Sequence, residues 1–335
     1  AVAQSNVTLY GILDVNYMWQ ELPVNVGGTV RQESVDGINS GHQSGNRWGL
    51  RGSESLGGGM SAIFTVEGGF ELDRGTLGQG GRLFGRQAWA GLSGSMGSVV
   101  AGRLATFSSG TGSFDMIGRI DPFLTGFGLA SAGNTFYSMN ALRADNTVAY
   151  VSPTWAGFKG GIGYSFNVDG GESANSNANN TAIITGANWT GGPFFAAITY
   201  DSVDVVNSNT DQKHLQIGGT WDIASFRLHA GWAAQDGVQA VTTVVGGSGA
   251  FLGLPAGASF DSDSWLLGVT WKATDALALL ASYQALDADG QNINGVRFEP
   301  DYNIWSIGAT YNLSRRTNLY ASYASRDADG ALIGN

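Results

Sequence analysis

The side chains able to make or break covalent bonds are few and poorly placed for it. Of the three histidines, His42 lies in a polar stretch, His214 at the edge of a strand, and His229 alternates with Phe226, Leu228, Ala230 and Trp232. No Ser/His/Asp spacing or nucleophile elbow accompanies them, and the glycine runs fall in strands and turns instead of ahead of a helix. The two DADG runs at 287–290 and 327–330 lack a complete calcium-loop pattern and read as turns. No catalytic residue, metal or cofactor is expected. The titratable groups that do follow a rule are carboxylates at alternate positions. Asp14 shares a face with Thr8, Asn16 and Gln20, opposite Val7, Leu9, Leu13, Val15, Tyr17 and Trp19. Glu67 shares its face with Ser61, Ile63 and Thr65, while Phe64, Val66 and Phe70 point the other way. Charge on the wet face of a strand whose other face is apolar can steer ions and orient dipoles, which is physics and not catalysis.

The elements that carry these residues are β-strands. Apolar and polar residues alternate along almost the whole chain between Gly- and Asp-rich breaks, and no continuous apolar run could cross a bilayer as a helix. Period-two hydrophobicity of this kind is how a transmembrane β-barrel is written, one face to lipid and the next to the lumen. Composition agrees: 52 glycines and 6 prolines among 335 residues, 13% charged and 11% aromatic, suit tight turns and a hydrocarbon-facing surface with aromatic girdles. A net charge of −10 argues against a nucleic-acid partner. The absence of cysteine permits an oxidising compartment, and Ala1 and Ala3 make the small-x-small pattern left by signal-peptide processing, so export is expected. With no linker or charge run dividing it, 1–335 reads as a single domain.

Fifteen strands are legible, near 6–20, 45–54, 59–71, 82–94, 97–104, 143–152, 157–167, 181–190, 193–203, 212–222, 224–235, 263–273, 276–286, 301–312 and 316–326. Connections alternate between very short (56–59, 95–97, 274–276, 314–316) and long polar ones, the signature of periplasmic turns and external loops. A barrel closes on an even count, because an open edge in lipid leaves backbone groups unsatisfied. A sixteenth strand is therefore expected beyond DADGALIGN, with the chain continuing roughly ten residues, one tilted span. Between Ala105 and about Ala141 no strand appears. The run FDMIGRIDPFLTGFGLA is too apolar for a solvated loop, so this segment is expected to pack on the lumen wall, with Asp115 and Asp121 near the narrowest point or else capping local turns.

Four ordered blocks then carry a resemblance. VTLYGILDV at 7–15, RWGLRGSESLGGGMSAIFTVEGGFE at 47–71, RQAWAGLSGSMGSVVAGR at 86–103 and RADNTVAYVSPTWAGFKGGIGYSF at 143–166 resemble the Gram-negative general diffusion porins, the β-proteobacterial branch most closely. The resemblance runs the whole chain in order and spacing and is most specific in its first half. It implies a sixteen-stranded barrel in the outer membrane, a homotrimer among lipid and lipopolysaccharide, passing ions and small hydrophilic solutes through a lumen narrowed by the third loop. The final strand with its terminal phenylalanine is the point of departure.

The family's ladder of wall arginines matches Arg47, Arg86 and Arg143. Parity supports a lumen assignment: Arg47 and Arg51 alternate with Trp48 and Leu50, Arg86 with Trp89, and Arg143 with Val148 and Tyr150. An arginine toward lipid would cost roughly 2–4 kcal/mol at the midplane. Arg103 and Lys159 are read as inward too, with Asp14 and Glu67 as balancing carboxylates. The cluster implies weak anion preference. Most of the excess acid falls in presumed loops (Asp169, Glu172, Asp204, Asp236, Asp261, Asp263, Asp287, Asp289, Glu299, Asp327, Asp329), where salt screens it within about 8–10 Å. An adhesin or receptor barrel is the alternative, carried by the loops at 22–43, 168–180, 204–211 and 236–262, with a barrel hydrolase less favoured. The inward segment at 105–141 discriminates, since a pore needs it and an adhesin does not.

Overall fold

A computed structural model describes residues 5–26, 29–124, 126–132, 143–171, 178–206, 211–239, 259–291, 297–298 and 301–329. Ala1, Ala3, Glu172, Glu299, the end of the 105–141 segment and most of 236–262 lie outside them. The strands in chain order are β1 (Ser5–Ile12), β2 (Val15–Val26), β3 (Thr29–Ser40), β4 (Arg47–Gly57), β5 (Met60–Glu71), β6 (Thr76–Leu77), β7 (Gln87–Gly94), β8 (Gly97–Ala105), β9 (Arg143–Val151) and β10 (Phe158–Ser165). They continue with β11 (Thr181–Gly191), β12 (Phe194–Asp204), β13 (Gln212–Ile223), β14 (Phe226–Gln239), β15 (Ser259–Lys272), β16 (Leu277–Gln291), β17 (Arg297–Phe298), β18 (Asp301–Asn312) and β19 (Asn318–Asp329). Fifteen of these pair antiparallel in one continuous order, β1-β4-β5-β7-β8-β9-β10 and onward through β16, β18 and β19. This is a transmembrane antiparallel barrel; the first strand, expected at 6–20, is broken after Ile12, with β2 leaving the sheet to pair with β3, and the other fourteen match those legible in sequence to within five residues.

Two differences have clear causes. The polar stretch expected as a loop at 22–43 is a twelve-rung ribbon of β2 and β3, from Val15↔Ser40 to Val26↔Thr29. It prolongs the first hairpin as a separate two-stranded sheet, and beyond Gln20 the apolar/polar alternation lapses at Glu21, Leu22 and Pro23, so the sequence read as a loop. The strand expected from 82 begins at Gln87, because residues 82–86 form a turn whose Arg82 and Arg86 side chains bond Asp145 and Glu67. That shift also corrects Trp89, expected toward lipid: it is 8% exposed and packs with Phe107 and Met116 on the lumen side.

Outward positions carry the lipid-facing surface. Phe158–Trp189, Phe194–Trp221 and Phe226–Trp271 pair near the short turns, and Trp265–Tyr283 and Trp305–Tyr323 pair near the long loops, with ring centroids 5.2–6.0 Å apart. These are two aromatic levels of the kind that sit at membrane interfaces.

Inside, the packed core is made by the chain after β8. Residues 105–132 cross the inner wall and bury Phe107, Met116, Ile117, Ile120, Phe123 and Phe127, each worth roughly 1.5–3 kcal/mol when fully buried. The wall receives them on glycine. A Cβ at Gly218 would stand 2.6 Å from Ile120 Cδ1, and one at Gly268 2.7 Å from Pro122 Cγ; Gly161, Gly186 and Gly308 play the same part under Phe107, Met116 and Phe123. Inward glycines on β10, β11, β13, β15 and β18 thus form a track along which the loop lies. Replacing Gly268 by Leu overpacks this contact by about 1–3 kcal/mol while leaving the strand ladder intact. The expected outcome is a folded, heat-modifiable barrel whose single-channel conductance exceeds the parent's; equal conductance would show that the loop's position does not depend on the track.

Candidate functional site

The arginines gather where β4, β5, β7 and β9 reach their long-loop ends. Glu67, on the inward face of β5, lies at the centre of the group. Arg86 donates from Nε to Glu67 Oε1 at 2.7 Å with side chains only 8% and 5% exposed, and Tyr10 OH donates to Glu67 Oε2 at 2.9 Å. Such a pair is held by geometry, because stranding either charge in a buried setting is costly. Arg86 Nη2 also reaches Thr111 Oγ1 on the inward loop at 3.3 Å.

Arg47 and Arg143 are bonded differently. Arg47 Nε donates to Gly45 O at 2.9 Å, and Arg143 Nε to Arg86 O at 3.1 Å. Each guanidinium is oriented by a backbone carbonyl and, among the described residues, neither forms an ion pair. Arg51, two positions deeper on the Arg47 face, lies over the Tyr10 ring at 5.3 Å. Arg143 has Arg86, Arg103, Glu67 and Arg47 as its electrostatic neighbours, and Arg86 and Arg47 act on Glu67, so three guanidiniums, Arg47, Arg86 and Arg143, gather about one carboxylate.

The other residues singled out from sequence are placed elsewhere. Arg103 sits at a bulge between Gly102 and Leu104, where parity counting stops; it donates to Gly85 O at 2.7 Å and to Asp145. Asp145 also accepts from Arg82 at 2.7 Å, which ties the segment before β7 to β9. Lys159 is on the inner face of β10 beside the short turns, opposite Asn188, far down the strand from the arginines. Asp14 braces the segment between β3 and β4: it accepts from Ser44 N at 2.6 Å and from Tyr320 OH on β19, while Asn46 Nδ2 donates to Asp14 O at 2.9 Å. That brace fixes the approach of Gly45 and Arg47.

Asp115 and Asp121 are engaged by their own turns. Asp115 accepts from Gly118 N at 3.0 Å and Ile117 N at 3.2 Å. Asp121, 1% exposed, accepts from Phe123 N at 2.9 Å and Ala132 N at 2.7 Å. Burial pushes Asp115 up to about 6 and Asp121 up to about 7 against the pull of these donors. Asp121 therefore shows no carboxylate to the open lumen. Sequence reasoning missed Tyr10, Arg82, Asp145 and Arg119; Tyr10 carried a signal in sharing the parity of Thr8 on β1, and Asp145 in sharing that of Arg143 on β9.

The family model described as Gram-negative porin matches residues 1–331. An outer membrane porin protein of Bordetella pertussis is 34% identical over 317 residues, covering 86% of this chain and 81% of that protein. Outer membrane porin protein 32 of Delftia acidovorans is 38% identical over 170 residues, 50% of this chain and 46% of that protein. Among solved structures, the anion-selective porin from Comamonas acidovorans superposes with TM-score 0.74 at 24% identity, covering 97% of this chain and 90% of that one. The trimer form of OmpT from Vibrio cholerae gives TM-score 0.65 at 17% identity over 97% and 89%; both likenesses are of fold. On the extent of the family match and the Bordetella relative, this chain belongs to the Gram-negative porins, outer-membrane diffusion channels and not enzymes.

Proposed function

We propose that the pore is a general diffusion channel with a weak preference for anions, set by wall arginines that no carboxylate neutralises. The observation that carries this reading is the bonding of Arg47 and Arg143, whose guanidiniums rest on backbone carbonyls while Glu67 is spent on Arg86 and Tyr10. Rings of Arg or Lys favour anions in a narrow wet passage. The inward loop supplies the narrowing and adds little opposing charge, since Asp115 and Asp121 are consumed by turn N–H groups. The chain's net negative charge acts weakly at the pore centre, because exposed acids beyond a Debye length of about 8–10 Å are screened. The extended apolar contact of the inward segment with the wall favours a pore over an adhesin.

The same reading takes in assembly. Aromatic pairs ring the outer wall from β10 to β19, whereas the outer faces of β1, β7 and β8 present Val7, Leu9, Ala88, Ala90, Leu92, Val99 and Ala101, with Trp48 and Phe64 on β4 and β5 between them. We place the contacts of a homotrimer on this smoother wall and lipopolysaccharide against the upper girdle elsewhere.

Two measurements test these statements. In a planar bilayer under a tenfold KCl gradient, the parent channel is expected to show an anion-sided reversal potential. The double variant Arg47→Gln, Arg143→Gln should move that potential to zero or past it, and an unmoved reversal potential would sink the arginine assignment. For assembly, Ala90→Trp suits lipid and not a close protein contact, so mass measurement in detergent should find monomers where the parent gives trimers. Trimers of unchanged stability would place the contact on another wall.

A further inference from the structure

A second group of cations gathers below the inward loop, on the wall away from Arg47 and Arg143. Asp222 near the end of β13 stands directly opposite Arg227 at the start of β14, and Lys272 closes β15 beside them. All three occupy inward positions: Trp221, Phe226, Leu228 and Trp271, their alternating neighbours, are exposed to lipid. Arg227 grips the Asp222 carboxylate with both Nε and Nη2, at 2.5 and 2.9 Å. From the loop above, Arg119 Nη2 reaches Asp222 Oδ2 at 3.2 Å, with its guanidinium over the Phe195 ring at 5.2 Å. Lys272 is the third cation whose charge acts on this carboxylate.

Three cations share one acid, which leaves the cluster with an excess of two positive charges. Arg119 Nε is buried without an acceptor among the described residues, an N–H donor left open by every protein group near it. The site is nonetheless wet, with Arg119, Arg227 and Asp222 side chains 33%, 29% and 38% exposed. Guanidinium forks and a mobile ammonium around an open donor match the geometry of a multivalent oxyanion. Lys159 also lies on the inner wall at the short-turn end.

We propose that Arg119, Arg227 and Lys272 form a second binding station, on the periplasmic side of the constriction, for multivalent oxyanions such as phosphate or a polycarboxylate. It holds an anion that has passed the arginines above, and it rests on the anion-preferring reading of the pore. The loop contributes Arg119, so the station exists only while the loop lies on its glycine track.

The test is side-resolved block of single channels by citrate in oriented bilayers of the full-length protein. Citrate on the short-turn side should interrupt the current at lower concentration than citrate on the loop side. Lys272→Gln, checked for barrel folding by heat-modifiable migration, should raise the half-blocking concentration on the short-turn side by about fivefold, the effect of a partly exposed ion pair worth about 1 kcal/mol. Arg315→Gln, an exposed turn residue, controls for loss of charge in general and should leave the block unchanged. Block without sidedness, or a Lys272 variant identical to the parent, overturns the station even where KCl gradients show anion preference. A cation-sided reversal potential with sided, Lys272-dependent block overturns the selectivity reading and leaves the station standing.

Discussion

A barrel wall one sheet thick has no interior of its own, and the apolar contact of residues 105–132 with the glycine track supplies one. Three clusters of buried hydrophobic residues each join this segment to the wall: Phe107 and Met116 with Trp89, Val100 and Ile184; Ile117 and Ile120 with Phe195, Ala197 and Leu266; Phe123 and Phe127 with Leu280. Close packing of this sort tolerates neither a void nor an added methylene, so the path of the loop is fixed by the size of the wall residues beneath it. Side-chain tethers then fix its ends: His229 Nδ1 lies 3.0 Å from Ile120 O, Gln284 Nε2 donates to Ala130 O at 2.9 Å, and Asn188 Nδ2 donates to Met116 O at 3.3 Å. The constriction and the station proposed above both depend on that placement.

Charge is sorted by height in the same molecule. At the loop rim, Asp261 stands directly across from Asp289 and Asp263 from Asp287, like charges in register that cost a few tenths of a kcal/mol each in water and would cost far more in a dry wall. They are tolerated because those positions are exposed. Deeper in the lumen Glu67 is paired with Arg86 and Asp222 with Arg227, and in the reading proposed above the cations in excess act on passing solutes. A net charge summed over the sequence therefore says little about the sign of the pore.

Much of this was legible in the residues. Period two gave the fifteen strands and their order, since a strand between lipid and water must alternate. The apolar run at 114–130 announced a loop that had to pack, because no solvated loop carries three phenylalanines, two leucines and two isoleucines so closely. Trp89 was misjudged for the converse reason: once the inward loop covers part of the lumen wall, an apolar residue can face inward, and alternation no longer reports lipid. Arg103 fell at a bulge, where counting loses phase. The track of inward glycines was visible in sequence on β10, β11, β13, β15 and β18, but glycine in a strand has several uses, and only the apolar side chains lying on it distinguish them. Asp115 and Asp121 could be pore acids or turn caps from sequence alone; the backbone donors that hold them belong to residues up to eleven positions away.

The arginines then divide by what holds them. Arg86 is paired to a buried carboxylate, touches Thr111 on the loop and lends its carbonyl to Arg143, so its charge is neutralised and its contribution is position. Arg47 and Arg143 are held by carbonyls, which orient a guanidinium without cancelling its charge. A constriction needs both kinds. Were every arginine paired, the wall would be well ordered and electrically flat; were none paired, mutual repulsion among guanidiniums within Coulomb reach would spread them and widen the passage. In the reading proposed above, one buried carboxylate among three arginines keeps the group compact and still leaves it positive, and Glu67 is the residue on which that compromise turns.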